Sequence, residues 1–168
     1  MPMRRRTFAT LFAALVTLCA APMGVAFGQT GVGEMKDVTA MKLQASGFGE
    51  AAGACGIDRG GAIEAFTGPL RTAGLEIVER SSGYWLSVRV TTIVWHDDTC
   101  VSNIEAGVFQ TTRYTNTATL SERVGKVQHW IDGGLFVSSR AAHTAIVEGG
   151  FHDLGRRAAD RWRQDQAP

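Results

Sequence analysis

The sequence predicts an α+β domain: an antiparallel sheet of about four to five strands with two helices packed on one face. Three observations carry that prediction. Residues 84–95 alternate Leu86, Val88, Val90, Thr92 and Val94 with Trp85, Ser87, Arg89, Thr91, Ile93 and Trp95; a half-buried strand, rich in β-branched and aromatic residues, has this pattern. Val147, Phe151, Leu154, Ala158 and Trp162 recur at four, three, four and four residues, which makes one apolar helix face. The strand candidates from residue 84 onward follow one another across short turns, and such strands pair antiparallel because a parallel pair needs a long crossover. Two amphipathic helices must bury their stripes against that sheet, which is a two-layer solution.

Length and composition narrow the class. A chain of 168 residues and 18.0 kDa is the size of one domain with a tail. Hydrophobic residues at 45% and charged residues at 20% exclude wholesale disorder. With 17 basic against 16 acidic residues, no basic excess exists to neutralise phosphates, so nucleic acid is not the expected partner.

Residues 1–28 read as a cleaved export signal. Arg4, Arg5 and Arg6 form the positive region, residues 8–21 the apolar region, and Ala26-Phe27-Gly28 the cleavage site before Gln29. A membrane-spanning helix needs about 20 consecutive apolar residues, and Pro22 and Gly24 interrupt early. Cys19 follows Leu18, where a lipoprotein signal wants a small residue. Arg5-Arg6-Thr7-Phe8 approaches a twin-arginine signal, but Arg4 and Ala9 replace its preferred flanking residues, so the general secretion route is favoured. Removing 28 residues with three arginines and no acids leaves a charge of −2. The expected compartment is the periplasm, with no transmembrane anchor in the mature chain.

Cysteine usage agrees. Cys19 leaves with the signal, and Cys55 and Cys100 remain; two thiols in an oxidising compartment allow one intramolecular disulfide. No C-x-x-C spacing and no flanking cationic cluster mark a reactive thiol.

The elements follow in order. Residues 29–36 are Gly-rich and read as a flexible arm, and residues 37–165 as a single α+β domain. A strand is expected over 38–45, then a glycine-rich loop that delivers Cys55. Asp58 caps a helix over 59–73 with Ile63, Phe66, Leu70 and Ala73 on its apolar face. Pro69 should kink or split that helix, and Gly74 suits its end. A short strand at 75–79 comes next, then the strand 84–95, a turn at His96-Asp97-Asp98-Thr99, and strands over 101–113 and 127–138, the latter broken or bulged at Gly133-Gly134. The closing helix carries Asp153–Arg157, Arg156–Asp160 and Arg161–Asp165 at i,i+4 on its outer side.

Cys55-Gly56-Ile57, then residues 74–78, the strand Tyr84-Trp85-Leu86-Ser87-Val88-Arg89-Val90, Cys100-Val101-Ser102, Trp130 with Gly133, and the helix ending at Trp162 together resemble a group of small exported bacterial proteins of unassigned activity. In element order the chain is similar to periplasmic α/β accessory-subunit modules of envelope machines. The resemblance spans about residues 55–165. It implies a binding or scaffolding role and carries over no catalytic residues.

Candidate chemistry is sparse. His96, Asp97 and Asp98 at a strand end, with His129 from a neighbouring strand, supply nitrogen and oxygen donors for a divalent metal; Asp-Asp-Thr is equally a turn composition. Glu148 and His152 lie four apart on the last helix and fit a solvated pair, and His143 stands at that helix's cap region. No G-x-S-x-G elbow occurs, and Gly31-Val32-Gly33 has no phosphate-binding context. No organic cofactor is expected. Trp85, Arg89, Thr91 and Trp95 share one strand face, and with the opposite face under the helices they form an outward binding surface. The expected role is therefore a non-enzymatic exported binding module, its partner another envelope protein or a second copy. The alternative is a metal- or cofactor-binding protein using His96, Asp97, Asp98 and His129. In an up-and-down layout Cys55 and Cys100 fall at opposite ends, so the disulfide requires a departure from a simple meander.

Overall fold

A computed structural model describes residues 35–80, 83–96 and 98–167; the predicted signal lies outside them. The elements are β1 (Ala40–Ser46), α1 (Glu50–Ala54), α2 (Arg59–Ala73), β2 (Glu76–Val78), β3 (Tyr84–Trp95), β4 (Thr99–Asn116), β5 (Ser121–Ser139) and α3 (Arg140–Gln166). The fold is α+β, with one five-stranded sheet in the order β2-β1-β3-β4-β5.

The sheet is mixed. β3–β4 and β4–β5 pair antiparallel as expected, but β1 lies parallel to both β2 and β3, with Ala40 opposite Glu76 and Lys42 opposite Trp85. From residue 84 onward the short turns do give antiparallel pairs, whereas the two strands before it depart from an all-antiparallel sheet. α1 and α2 supply the long crossover between β1 and β2. β2 has only three residues, and β3 runs in the same direction on the other side of β1.

Parallel β1 is what allows the crosslink. β1 and β3 finish at the same end of the sheet, so Cys55 after β1 and Cys100 after β3 meet there. The disulfide is formed with Cα atoms 6.0 Å apart, and both cysteines are fully buried.

α2 forms as its sequence directs. The Asp58 carboxylate accepts the Gly61 N–H at 2.7 Å, satisfying a donor the first turn leaves free. Gly74 takes a left-handed conformation (φ 102°), its N–H bonds to Arg71 O, and Leu75 N–H reaches back to Leu70 O; this is a Schellman end, sealed by two buried leucines. The helix continues through Pro69 as one element, so it is not split there.

α2 and α3 run side by side in the same direction. The Thr144 hydroxyl bonds Gly56 O at 2.9 Å at one end, and Trp162 approaches Gly74 at the other. Between them Gly155 lies so near α2 that a Cβ there would sit 2.1 Å from Phe66 O. Both helices cover one sheet face, where Leu86, Val88, Val90, Ile104, Ala106, Val108 and Trp130 form the core with Phe66, Leu70, Val147, Phe151, Leu154 and Ala158.

Three smaller expectations change. Met35 is fully buried, its N–H donating to the Asp165 carboxylate at 2.9 Å, so this residue of the expected arm packs against the domain. The register shift in β5 falls at His129, between the partners of Val108 and Phe109, and not at Gly133-Gly134. On α3 only Arg161–Asp165 pairs at i,i+4; Arg157 reaches Asp132 of β5, while Arg156 and Arg163 pair with Asp153 and Asp160 at i,i+3.

Candidate interaction surface

Among the described residues, the second face of the sheet carries no helix. Alternation sends Leu86, Val88 and Val90 under α2 and α3, and the same two-residue period sends Trp85, Ser87, Arg89, Thr91, Ile93 and Trp95 the other way. Cross-strand register assembles a surface around them. Trp85 faces Phe109, Arg89 faces Glu105, Thr91 faces Asn103, and Ile93 faces Val101. On β5, Val101 is met by Val137 and Asn103 by Leu135.

The four residues predicted for the binding surface share this face but belong to two regions. Ten residues of β3 separate Trp85 from Trp95, about 33 Å at the rise of a strand. Trp85 is partly buried, stacked on Phe109 with centroids 5.8 Å apart, and the Lys126 ammonium lies 5.2 Å from its ring centroid. These side chains, with Gln44, Ser46, Ser87, Arg89 and Glu105, line a shallow basin of about 390 Å³.

At the disulfide end the surface is apolar. Ile93 and Trp95 are 50% and 57% exposed, Leu135 and Val137 64% and 60%. Ile93, Val101 and Val137 form one row across β3, β4 and β5. Trp95 packs edge-on against His96 with centroids 5.5 Å apart. Single exposed apolar residues are ordinary, but a contiguous group on one side of a sheet is a mark of an interaction site.

The predicted metal ligands do not converge. His96 sits at the β3–β4 turn with a positive φ of 59°, and Asp98 is in the same connection; Asp97 lies outside the described residues. His129 stands near Gln110, whose amide oxygen is 3.1 Å from its Nε2. Register puts Gln110 eleven residues from Thr99 along β4, so about 36 Å separates the two histidines. Among the described residues no group of three or more His, Cys, Asp or Glu side chains is arranged to hold a metal ion.

The other histidines have different places. Glu148 and His152 line an open groove between α2 and α3 with Glu64, Arg156 and Arg163. His143, read from sequence as a cap-region residue, is fully buried in the first turn of α3. Its Nε2 lies 2.8 Å from the Ser102 hydroxyl and its Nδ1 2.7 Å from that of Ser138, and Ser102 also meets Thr92 at 2.7 Å. Burial holds the His143 pKa below its ordinary value. A serine beside a histidine matches hydrolytic chemistry in outline only: Ser102 is fully buried, and a nucleophile must be reachable by substrate.

The fold has a precedent. The PelC dodecamer from Paraburkholderia phytofirmans superposes with a TM-score of 0.50 at 12% identity, covering 82% of this chain and 97% of that one. A minor lipoprotein from Acinetobacter baumannii gives 0.34 at 7% identity, over 73% of this chain and 91% of its own. No family model matches the chain, and no curated protein matches it in sequence. At these identities the likeness to PelC is one of fold.

Sequence reasoning found Trp95 and Ile93 through alternation but missed Val101, Leu135 and Val137. The signal for Leu135 and Val137 was present as a two-residue period in residues 135–138, and the expected break at Gly133-Gly134 obscured its register.

Proposed function

We propose that this chain is a non-enzymatic exported module of the cell envelope, acting by binding a protein surface on its open sheet face. The observation that carries the reading is the row Ile93–Val101–Val137, half-buried at Val101 and exposed at its two ends, flanked by exposed Trp95 and Leu135, on the side that no described helix covers. The buried disulfide fits a protein matured in an oxidising compartment. No helix among the described residues is long and apolar enough to cross a membrane. A structural neighbour of this fold is a dodecamer, which supports assembly as the kind of work the fold does. Partners are an envelope protein or further copies of the chain.

The test is a photo-crosslinking residue placed at Thr91, exposed beside the row, in living cells. Wild-type protein is expected to give a discrete crosslinked product, and Trp95→Ser with Val137→Ser to abolish it. No product from a folded, disulfide-bonded wild-type chain would refute the reading.

A further inference from the structure

Among the described residues, the exposed large apolar side chains fall into two groups, Val94 and Ile146 apart. One is the row just described. The other lies on the β4–β5 hairpin: Tyr114 is 51% exposed, Val124 66% and Leu120 82%.

β3 stops pairing with β4 at Tyr84 and Gln110. Residues 111–126 therefore continue as a two-stranded ribbon without a third strand. Such a ribbon is marginal by itself, yet its turn is well built. The Asn116 side-chain oxygen accepts the N–H groups of Ala118 and Thr119, and the hydroxyls of Thr119 and Ser121 meet at 2.7 Å. Beside that turn Leu120 holds a left-handed backbone (φ 51°), a conformation a residue with a Cβ adopts at a cost. The turn thus fixes a leucine in solvent, where it adds nothing to the core of its own chain.

Thirteen residues of β4 separate Val101 in the row from Tyr114 in the ribbon, about 43 Å along the strand. The ribbon projects away from its own row, so only another molecule can join the two. We infer that the ribbon is an arm by which one copy of this chain docks on the apolar row of the next, head to tail. A second copy fits because every chain supplies one projecting group and one flat group in equal number. A head-to-tail contact covers both on each copy, whereas face-to-face pairing of two rows leaves both ribbons bare. Such contacts close into a ring or run on as a filament, depending on the rotation between copies. The inference rests on the reading of the open face as an interaction surface, and adds the occupant and the element that reaches it.

The test uses two variants of the exported, disulfide-bonded protein. One is broken at the arm (Leu120→Asp with Val124→Asp), the other at the row (Ile93→Asp with Val137→Asp). All four positions are solvent-exposed, and circular dichroism checks folding. By sedimentation velocity the wild type is expected to assemble with rising concentration, and each variant alone to remain a monomer. Mixed in equal amounts, the variants should give a dimer and nothing larger, because one intact arm and one intact row remain between them. A wild type that stays monomeric to roughly millimolar concentration, the weak limit of specific association, overturns the arm. So does an arm variant that assembles like the wild type, or a mixture that stays monomeric while the wild type assembles. In each of these cases, loss of the Thr91 crosslink in Trp95→Ser/Val137→Ser would leave the open-face reading standing, so the two failures are distinguishable.

Discussion

His143 illustrates how one side chain ties local chemistry to stability. Its two ring nitrogens face the hydroxyls of Ser102 and Ser138. Burial therefore opposes protonation and lowers the pKa. In the unfolded chain the ring takes up a proton near pH 6.5; in the folded chain it resists. The unfolded state thus binds more protons below that pH, and stability must fall as the solution is acidified until the folded pKa is passed. For one group the slope reaches at most about 1.4 kcal/mol per pH unit. Urea midpoints measured from pH 7 down to pH 5 are expected to drop in the wild type, with a flatter dependence in His143→Gln. An equal slope in the variant would assign the effect elsewhere. The contrast with Asp58 is instructive. Its cap partner is three residues away and legible in the sequence, whereas Ser102 is 41 residues from His143 and no local pattern announces the contact.

Elements show where local propensity yields to packing. α2 begins and ends where Asp58 and Gly74 direct, yet it stays whole across Pro69 because its buried face, Ala62, Phe66 and Leu70, is held continuously against the core. The helix pair depends on Gly155, where a Cβ would lie 2.1 Å from a backbone oxygen of α2. Alanine there gains about 1 kcal/mol of helix propensity, but the carbonyl cannot rotate away as a side chain could, and overpacking typically costs about 1–3 kcal/mol. Gly155→Ala is therefore expected to lower stability, by up to about 2 kcal/mol, in denaturant melts, and a raised midpoint would show the helices free to separate. β4 and β5 extend beyond the predicted strands. Residues 111–126 are mostly polar and mixed in charge, with Tyr114, Leu120 and Val124 too widely spaced to set up an alternation; the ladder between them is set by pairing in three dimensions.

For the whole molecule, the decisive feature is which end of the sheet each strand reaches. Parallel β1 gathers Cys55, Cys100 and the N-terminus of α3 at one end, where Arg140 N–H also bonds Asp98 O at 2.8 Å. The ribbon leaves from the other end. The disulfide closes a 45-residue separation, for which the chain-entropy model gives about 4 kcal/mol. Cys55→Ser with Cys100→Ser is expected to lower unfolding free energy by roughly that amount in equilibrium denaturation; a loss below about 1 kcal/mol would place the stability in the core alone. Such a change leaves the row and the ribbon in place, so it separates the stability of the fold from its capacity to assemble.

By itself the sequence determined the two-layer class, the long helices and the caps of α2, the strand 84–95 with its two faces, and the pairing of the two cysteines that follow the predicted signal. The cysteine pairing follows from there being two candidates in an oxidising compartment, and the rest from periodicity or from contacts within a few residues, which any window of the chain displays. Only the tertiary structure decided that β1 runs parallel, that His96 and His129 stand far apart, that Arg157 reaches β5, and that the exposed apolar side chains gather at opposite ends of the β4–β5 pair. Those facts depend on strand direction and register, and neither is encoded in the spacing of residues along one strand. They are chosen by which arrangement buries the most apolar surface at once.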